Sequence, residues 1–230
     1  MTGRDDRWSA AAWELVRPHL PPPPGPIVEL GCGPAGGLVP ALLAAGYDAV
    51  GVDPEAPEGG SYASEAFEAV PRAGFAAVVA SMSLHHVDDV DVVLDHVVDA
   101  MVVGGVVVVL EWDWTKFEQA AAQWCFARLA DRAPTETVGW LQRHRDHAAS
   151  SGRAWDDYVR EWAERHGIHS GPVMRAALDR RFECVTQHPI PYFFSELVVE
   201  ARDEAEAMAA GGLPASAFRY VGRVPPPDGR

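Results

Sequence analysis

Three glycines and two acids, Glu29, Gly31, Gly33, Gly36 and Asp53, are spaced to suit the binding of a nucleotide cofactor. Gly31 and Gly33 let a backbone turn sharply and approach a ligand where a Cβ would intrude. Glu29 stands inside an apolar run, where a carboxylate is costly to bury unless paired or solvated. A pocket role near a cation or an amine is the expectation for it. Further on, Ser81-Met82-Ser83-Leu84-His85-His86 gathers hydroxyls and imidazoles in one stretch. Imidazole titrates near neutrality, so His85 or His86 could take a proton from a substrate. Either could instead pack under a helix or bond backbone. Glu111 and Asp113 are comparable candidates for a base or a substrate-orienting group.

These residues fall at the ends of elements. Pro26 to Leu30 reads as a buried strand that runs into the glycines. Leu38, Val39, Leu42 and Leu43 then make one stripe of a helix that tolerates Pro40 early and stops at Gly46. Ala49 to Val52 is a second strand closing on Asp53. Gly59-Gly60 breaks the chain, and Ser61 to Phe67 is expected as a third strand with its helix much reduced. Phe75 to Ala80 is a continuous strand pattern. From Asp88 a helix presents Val90, Val93, Leu94, Val97, Val98 and Met101 on one face. Gly104-Gly105 is expected to end it, with Val106 to Leu110 as a strand closing on Glu111.

This order resembles the class I S-adenosylmethionine (SAM)-dependent methyltransferases. Their first motif, an acid, any residue, Gly, any residue, Gly, is here Glu29-Leu30-Gly31-Cys32-Gly33. The resemblance implies a three-layer α/β/α sandwich on a Rossmann-like, mostly parallel seven-stranded sheet, with an antiparallel last strand and a helical insertion. It implies SAM as cofactor and S-adenosyl-L-homocysteine as product. Glu29 would lie near the methionine end, and Gly31, Cys32, Gly33 and Gly36 would form the loop. Asp53 would bond the ribose, with Pro54 beside it. Phe67 and Glu68 would stand near the adenine, where the acid common in the family is replaced by Ala66. Ser81, Met82 and Ser83 would reach the methionine and the reacting centre. The same glycines also spell Gly31-x-Gly33-x-x-Gly36, the NAD fingerprint. The segment from Ser81 to His86 favours the methyltransferase reading over an NAD(P)-dependent oxidoreductase. A SAM-fold protein that templates a cyclisation, or a non-enzymatic SAM-fold subunit, also fits the motifs.

The formal charge is −14 and Lys116 is the only lysine, a surface that repels phosphate backbones and argues against nucleic acid as substrate. The longest apolar run is strand-sized, and nothing resembles a signal peptide or a membrane span. Cys32, Cys125 and Cys184 are few and unclustered, as expected of reduced thiols in a cytoplasmic protein. His144-x-x-His147 looks like part of a solvated face, and no cysteine joins it or His166 and His169 at zinc-like spacing, so no metal site is expected. Neither a Gly-x-Ser-x-Gly elbow nor a Walker A motif is present.

One domain over residues 1–230 is expected. A helix over 5–17 precedes four prolines, a core spans 25–113, an insertion 114–179, and closing strands 180–222. The helix could fold over the pocket or only cap the sheet. A further helix is expected from Ser195 to Ala210, and a tail without structure from Pro225. Six of the eight tryptophans lie between Trp112 and Trp162, enough to wall a pocket for a flat substrate or to pack helices. The expected acceptor is a small molecule or short peptide, neutral or cationic and aromatic or amphipathic, bound by a monomer or homodimer.

Overall fold

The structure is a computed structural model and describes residues 4–69, 74–129 and 139–226, with side chains from Arg7 onward. Apolar runs without polar alternation become strands buried on both faces, which a sheet covered by helices on each side requires. The strands are β1 (Pro26–Leu30), β2 (Asp48–Val52), β3 (Tyr62–Ala63), β4 (Phe75–Ser81), β5 (Met101–Trp112), β6 (Glu183–Ile190) and β7 (Ala217–Arg223). Their order is β3-β2-β1-β4-β5-β7-β6. Pairs among β1 to β5 are parallel, and β7 runs antiparallel between β5 and β6. The expected sheet is therefore present.

The helices are α1 (Arg4–Val16), α2 (Val39–Ala44), α3 (Val90–Ala100) and α4 (Gln119–Phe126), then α5 (Trp140–Ser151), α6 (Trp155–Arg165), α7 (Gly171–Asp179) and α8 (Ala201–Ala209). On one face Ala12 and Val16 of α1, with Leu38 and Leu42, pack on Ile27, Val79 and Val108. On the other, Val93 and Leu94 of α3 and Met174 and Leu178 of α7 pack on Val28, Val78 and Val107. Burying one such leucine contributes about 1.5–3 kcal/mol. A third apolar cluster joins α4, α5 and α6 to Trp112, Phe117 and Phe193 beyond the carboxyl end of β5.

Several expectations are corrected. The third strand is Tyr62–Ala63 alone, paired with Gly51 and Val52, and residues 64–69 leave the sheet. Leu43 is exposed because α2 is short. The α3 helix starts where the Asp89 carboxylate accepts the N–H groups of Asp91 and Val92, and it ends at Ala100 rather than at the glycines. Met101 instead opens β5, which runs through Gly104 at a φ of +75°. The helix expected from Ser195 begins only at Ala201, and β6 continues through Pro189 on an edge where proline is tolerated. Within the stretch expected as an insertion, α7 belongs to the sandwich itself. The tail beyond Pro226 lies outside the described residues.

Candidate active site

The parallel strands bring Glu29, the glycine loop, Asp53, the turn after β4 and Glu111 to one edge of the sheet, where β1, β2, β4 and β5 end. The loop after β1 makes four demands on glycine. Gly31, Gly33, Gly36 and Gly37 all have positive φ, a region that L residues with a Cβ disfavour. A Cβ on Gly31 would collide with Ser83, and one on Gly36 would come 2.5 Å from the Tyr62 hydroxyl. A Cβ on Gly37 would lie 2.5 Å from a Glu29 carboxylate oxygen. Gly33 differs: a Cβ there would enter open space. It is the glycine of this loop whose bareness leaves room for a ligand rather than for the protein.

Glu29 is 1 % exposed, and its Oε2 accepts the N–H groups of Leu38 at 2.7 Å and Val39 at 3.1 Å. It thereby ties the glycine loop to the start of α2. Burial pushes its pKa up to about 8, against the pull of those two N–H donors. Asp53 accepts from the Gly33 N–H at 3.0 Å and from the Glu55 N–H at 2.7 Å. A carboxylate has about four acceptor positions, so roughly two remain for hydroxyls. Open space at Gly33 thus lies beside a half-buried acid with acceptor positions to spare. Cys32 shares the loop but turns its side chain into a small cluster with Val39 and Ala56. Its thiol is pushed up to about 12 by burial, and only its backbone is left to face a cofactor. Phe67 is buried against α3, edge-on to His96 at 5.4 Å, while Pro54 and Glu68 are exposed.

The turn after β4 is assembled around Glu111, at the end of β5 and fully buried. Its Oε1 accepts the N–H groups of Ser83 at 2.8 Å and Leu84 at 2.5 Å. Its Oε2 lies 2.5 Å from Nδ1 of His85. A carboxylate at Glu111 accepts from a protonated Nδ1, and that tautomer leaves the lone pair on Nε2. Ser83 Oγ donates to the Leu30 carbonyl at 2.8 Å, which locks this turn to the glycine loop. Met82 has a φ of +57°, a strained setting for a side chain of its size. Ser81 Oγ accepts from the Trp8 indole N–H at 3.0 Å. The helix α1 thus reaches over the strand ends as well as covering the sheet. Asp113 is committed elsewhere: it accepts from Thr115, from the Gly171 N–H and from Arg175, tying α7 to the end of β5.

Beside this turn opens a cavity of about 440 Å³. Trp112, Trp140, Trp162 and Tyr192 supply its aromatic wall, and His85, His86, Arg143, His144 and His147 its polar lining. Tyr192 lies nearly parallel to Trp112 and to Trp140, both at 30° with ring centroids 6.1 and 6.2 Å away. Trp8 meets Tyr192 edge-on at 5.7 Å. Crowding by protein atoms, then the neighbouring His85, push His86 down to about 4 against the pull of Glu111. Burial does the same to His144, whose Nδ1 lies 2.9 Å from the Tyr158 hydroxyl. The indole Nε1 of Trp112 is buried without a hydrogen-bond partner among the described residues.

The structure therefore brings together Glu29, the glycine loop, Asp53, Ser81, Met82, Ser83, His85, His86 and Glu111, and sets the Phe67 ring apart in the core. Missing from the sequence reading are Arg143, His144 and His147 as cavity residues. With Trp140 they stand at positions spaced three and four apart, one face of α5. No group of three or more His, Cys, Asp or Glu side chains among the described residues could hold a metal ion.

A glycine loop after the first strand and an acid after the second, at the crossover of a parallel sheet, define a nucleotide-cofactor fold of the Rossmann-like class. Residues 6–170 match the family model described as a methyltransferase domain, and the chain belongs to that family. Solved structures share the fold. One is a SAM-dependent methyltransferase from Mesorhizobium loti, 20 % identical with a TM-score of 0.57, covering 93 % of this chain and 97 % of its own. Geranyl diphosphate C-methyltransferase from Streptomyces coelicolor is 15 % identical with a TM-score of 0.53, covering 95 % and 81 %. The N-methyltransferase NodS from Bradyrhizobium japonicum, solved with S-adenosyl-L-homocysteine, is 13 % identical with a TM-score of 0.54, covering 98 % and 90 %. No curated protein matches the sequence. By family this is a methyltransferase, and it shares the fold of SAM-dependent methyltransferases.

Proposed function

We propose that the protein transfers the methyl group of SAM to a small molecule held in the aromatic cavity, with His85 as general base. The pairing of His85 with the buried Glu111, on the turn between the glycine loop and the cavity, carries this reading. When bound, SAM supplies an electrophilic methyl on a good leaving group, so the protein mainly orients the partners and excludes water.

Asp53 and the open backbone at Gly33 are the residues to hold the ribose and the carbon chain beside it. Glu29 acts on the loop rather than on the ligand, because both N–H groups it accepts belong to the start of α2. Glu111 fixes the tautomer and the direction of the His85 ring, and its charge stabilises the imidazolium formed when Nε2 takes a proton. Trp112 stands edge-on to the His85 ring, with the centroids 6.0 Å apart. The neutral His86 and His144 add hydrogen-bonding capacity without adding charge.

Incubation with SAM carrying a labelled methyl group and a panel of aromatic small molecules tests the reading. Label should enter an acceptor with equimolar S-adenosyl-L-homocysteine. Cofactor binding without label transfer to any acceptor, together with an unlabelled rearranged product, would favour a cyclisation.

A further inference from the structure

The helix α8 buries one residue, and that residue is an acid. Glu204 is 2 % exposed, while the alanines and Met208 of the same helix stay half-buried or exposed. A buried carboxylate is costly unless hydrogen bonds offset its lost hydration. Here Oε1 accepts the N–H groups of Tyr192 at 2.8 Å and Phe193 at 3.1 Å, and Oε2 accepts that of Phe194 at 2.7 Å. These donors open the 3₁₀ turn Phe193–Ser195, just after Pro189 and Pro191 break the chain. The first N–H groups of a helical turn have no partner within it, so the carboxylate is what fixes this backbone. The three rings it carries reach three parts of the molecule. Tyr192 forms part of the cavity wall, nearly parallel to Trp112 and Trp140. Phe193 is fully buried against Phe117 at 4.8 Å, in the cluster of α4, α5 and α6. Phe194 meets Trp8 of α1 at 6.2 Å, with the Arg7 guanidinium over its ring.

We propose that Glu204 is a positioning residue of the acceptor site, holding the Tyr192 ring in the wall against which a flat aromatic acceptor lies beside His85. The proposal rests on the methyltransferase reading and on this cavity as the place of the acceptor. Glu204 does not line the cavity and acts through the backbone of Tyr192. Tyr192 stacks on Trp112, and Trp112 stands against His85, so a shift of that backbone moves the wall relative to the base. A misplacement of about 1 Å between reacting groups can cost about 10²-fold in rate. A site is held to such a tolerance by buried hydrogen bonds behind the residues that touch the ligand, and Glu204 supplies three of them.

The test separates positioning from stability alone. Glu204→Gln keeps the shape of the side chain, but its amide nitrogen cannot accept, so one of the three bonds is lost. Glu204→Ala loses all three. Leu178→Ala, in the core beneath α7, is the control for lost stability. Each intact protein, saturated with S-adenosyl-L-homocysteine and kept below its melting transition, is titrated in a calorimeter with 2-naphthol as the flat aromatic probe. Affinity for 2-naphthol should fall about tenfold in Glu204→Gln and further in Glu204→Ala, with that for S-adenosyl-L-homocysteine unchanged. Near-ultraviolet circular dichroism, which reads the packing of Tyr192 with the tryptophans, should change in both. Leu178→Ala should melt lower yet bind 2-naphthol and keep its spectrum as the wild type does. If Glu204→Ala fails to fold, Glu204→Gln alone decides. Wild-type affinity for 2-naphthol in Glu204→Gln, an unchanged spectrum, or an equal loss in Leu178→Ala would overturn the proposal. Absence of 2-naphthol binding by the wild type would overturn the cavity as an aromatic acceptor site. Failure of S-adenosyl-L-homocysteine itself to bind would instead overturn the methyltransferase reading beneath it.

Discussion

His85 Nδ1 lies 2.5 Å from Glu111 Oε2, while the other oxygen of that carboxylate holds the backbone of Ser83 and Leu84. One buried acid from β5 thus shapes the turn after β4 and aims the imidazole that the turn carries. His85→Gln should lower kcat by about 10²–10⁴-fold, the usual contribution of a positioned base. Cofactor affinity should stay unchanged, as titration calorimetry would show. Glu111→Gln should reduce kcat and also destabilise the fold, by about 1–3 kcal/mol in urea unfolding, because its amide group cannot accept all three bonds. A Glu111→Gln protein as active and as stable as the wild type would remove the carboxylate from the account.

Asp53→Ala should weaken SAM binding by about 1–3 kcal/mol, from lost hydrogen bonds to a charged acceptor. The loss has two sources, since Asp53 also holds the Gly33 and Glu55 N–H groups. Asp53→Asn should recover part of it. Unchanged affinity in calorimetry would place the ribose elsewhere.

Gly31 and Gly33 should respond differently to substitution although they stand two residues apart. A side chain at Gly31 meets Ser83 of the protein itself, so Gly31→Ala should lower the melting temperature whether or not cofactor is present. A side chain at Gly33 meets open space, so Gly33→Val should leave a folded protein that no longer binds SAM. The backbone strain of placing valine at positive φ costs about 1–3 kcal/mol and shows in the melting curve. Normal SAM binding by Gly33→Val would mean that the cofactor does not approach this loop.

Stability should change with pH in two opposed ways. Glu29 has a folded pKa raised to about 8 by burial, so the folded state holds its proton more tightly than the unfolded chain. Its contribution is fully present below the unfolded value of 4.5 and is lost as pH rises through about 8. His144 has a folded pKa lowered to about 4, so its contribution is present above 6.5 and lost as pH falls through about 4. Urea unfolding across this range should show the difference between wild type and Glu29→Gln shrinking or reversing as pH rises. A constant difference would mean that Glu29 is ionised throughout.

What the sequence made legible is what lies close along the chain. The strand, glycine turn, helix, strand and Asp53 fall within about 30 residues and are dictated by local pattern. Glu29 was recognisable as costly to bury, but its bonds to the N–H groups of Leu38 and Val39 depend on how the glycine loop folds back, which no local pattern shows. Phe67 had no pattern to separate a cofactor contact from a core ring, and its contact with His96 on α3 is equally invisible in the sequence. The same limit hid α7, whose short stripe of Met174, Ala177 and Leu178 meets the sheet only through long-range contacts. The cavity is the clearest case. Trp140, Arg143, His144 and His147 share one helix face, but that face looked solvated until Tyr192 and Trp112 were brought against it.

The central claim is that this sheet edge binds SAM, and titration calorimetry with SAM, S-adenosyl-L-homocysteine and NAD in parallel addresses it directly. The expected result is binding of both adenosyl ligands, abolished by Gly33→Val, with no heat from NAD. Binding of NAD alone would contradict the account.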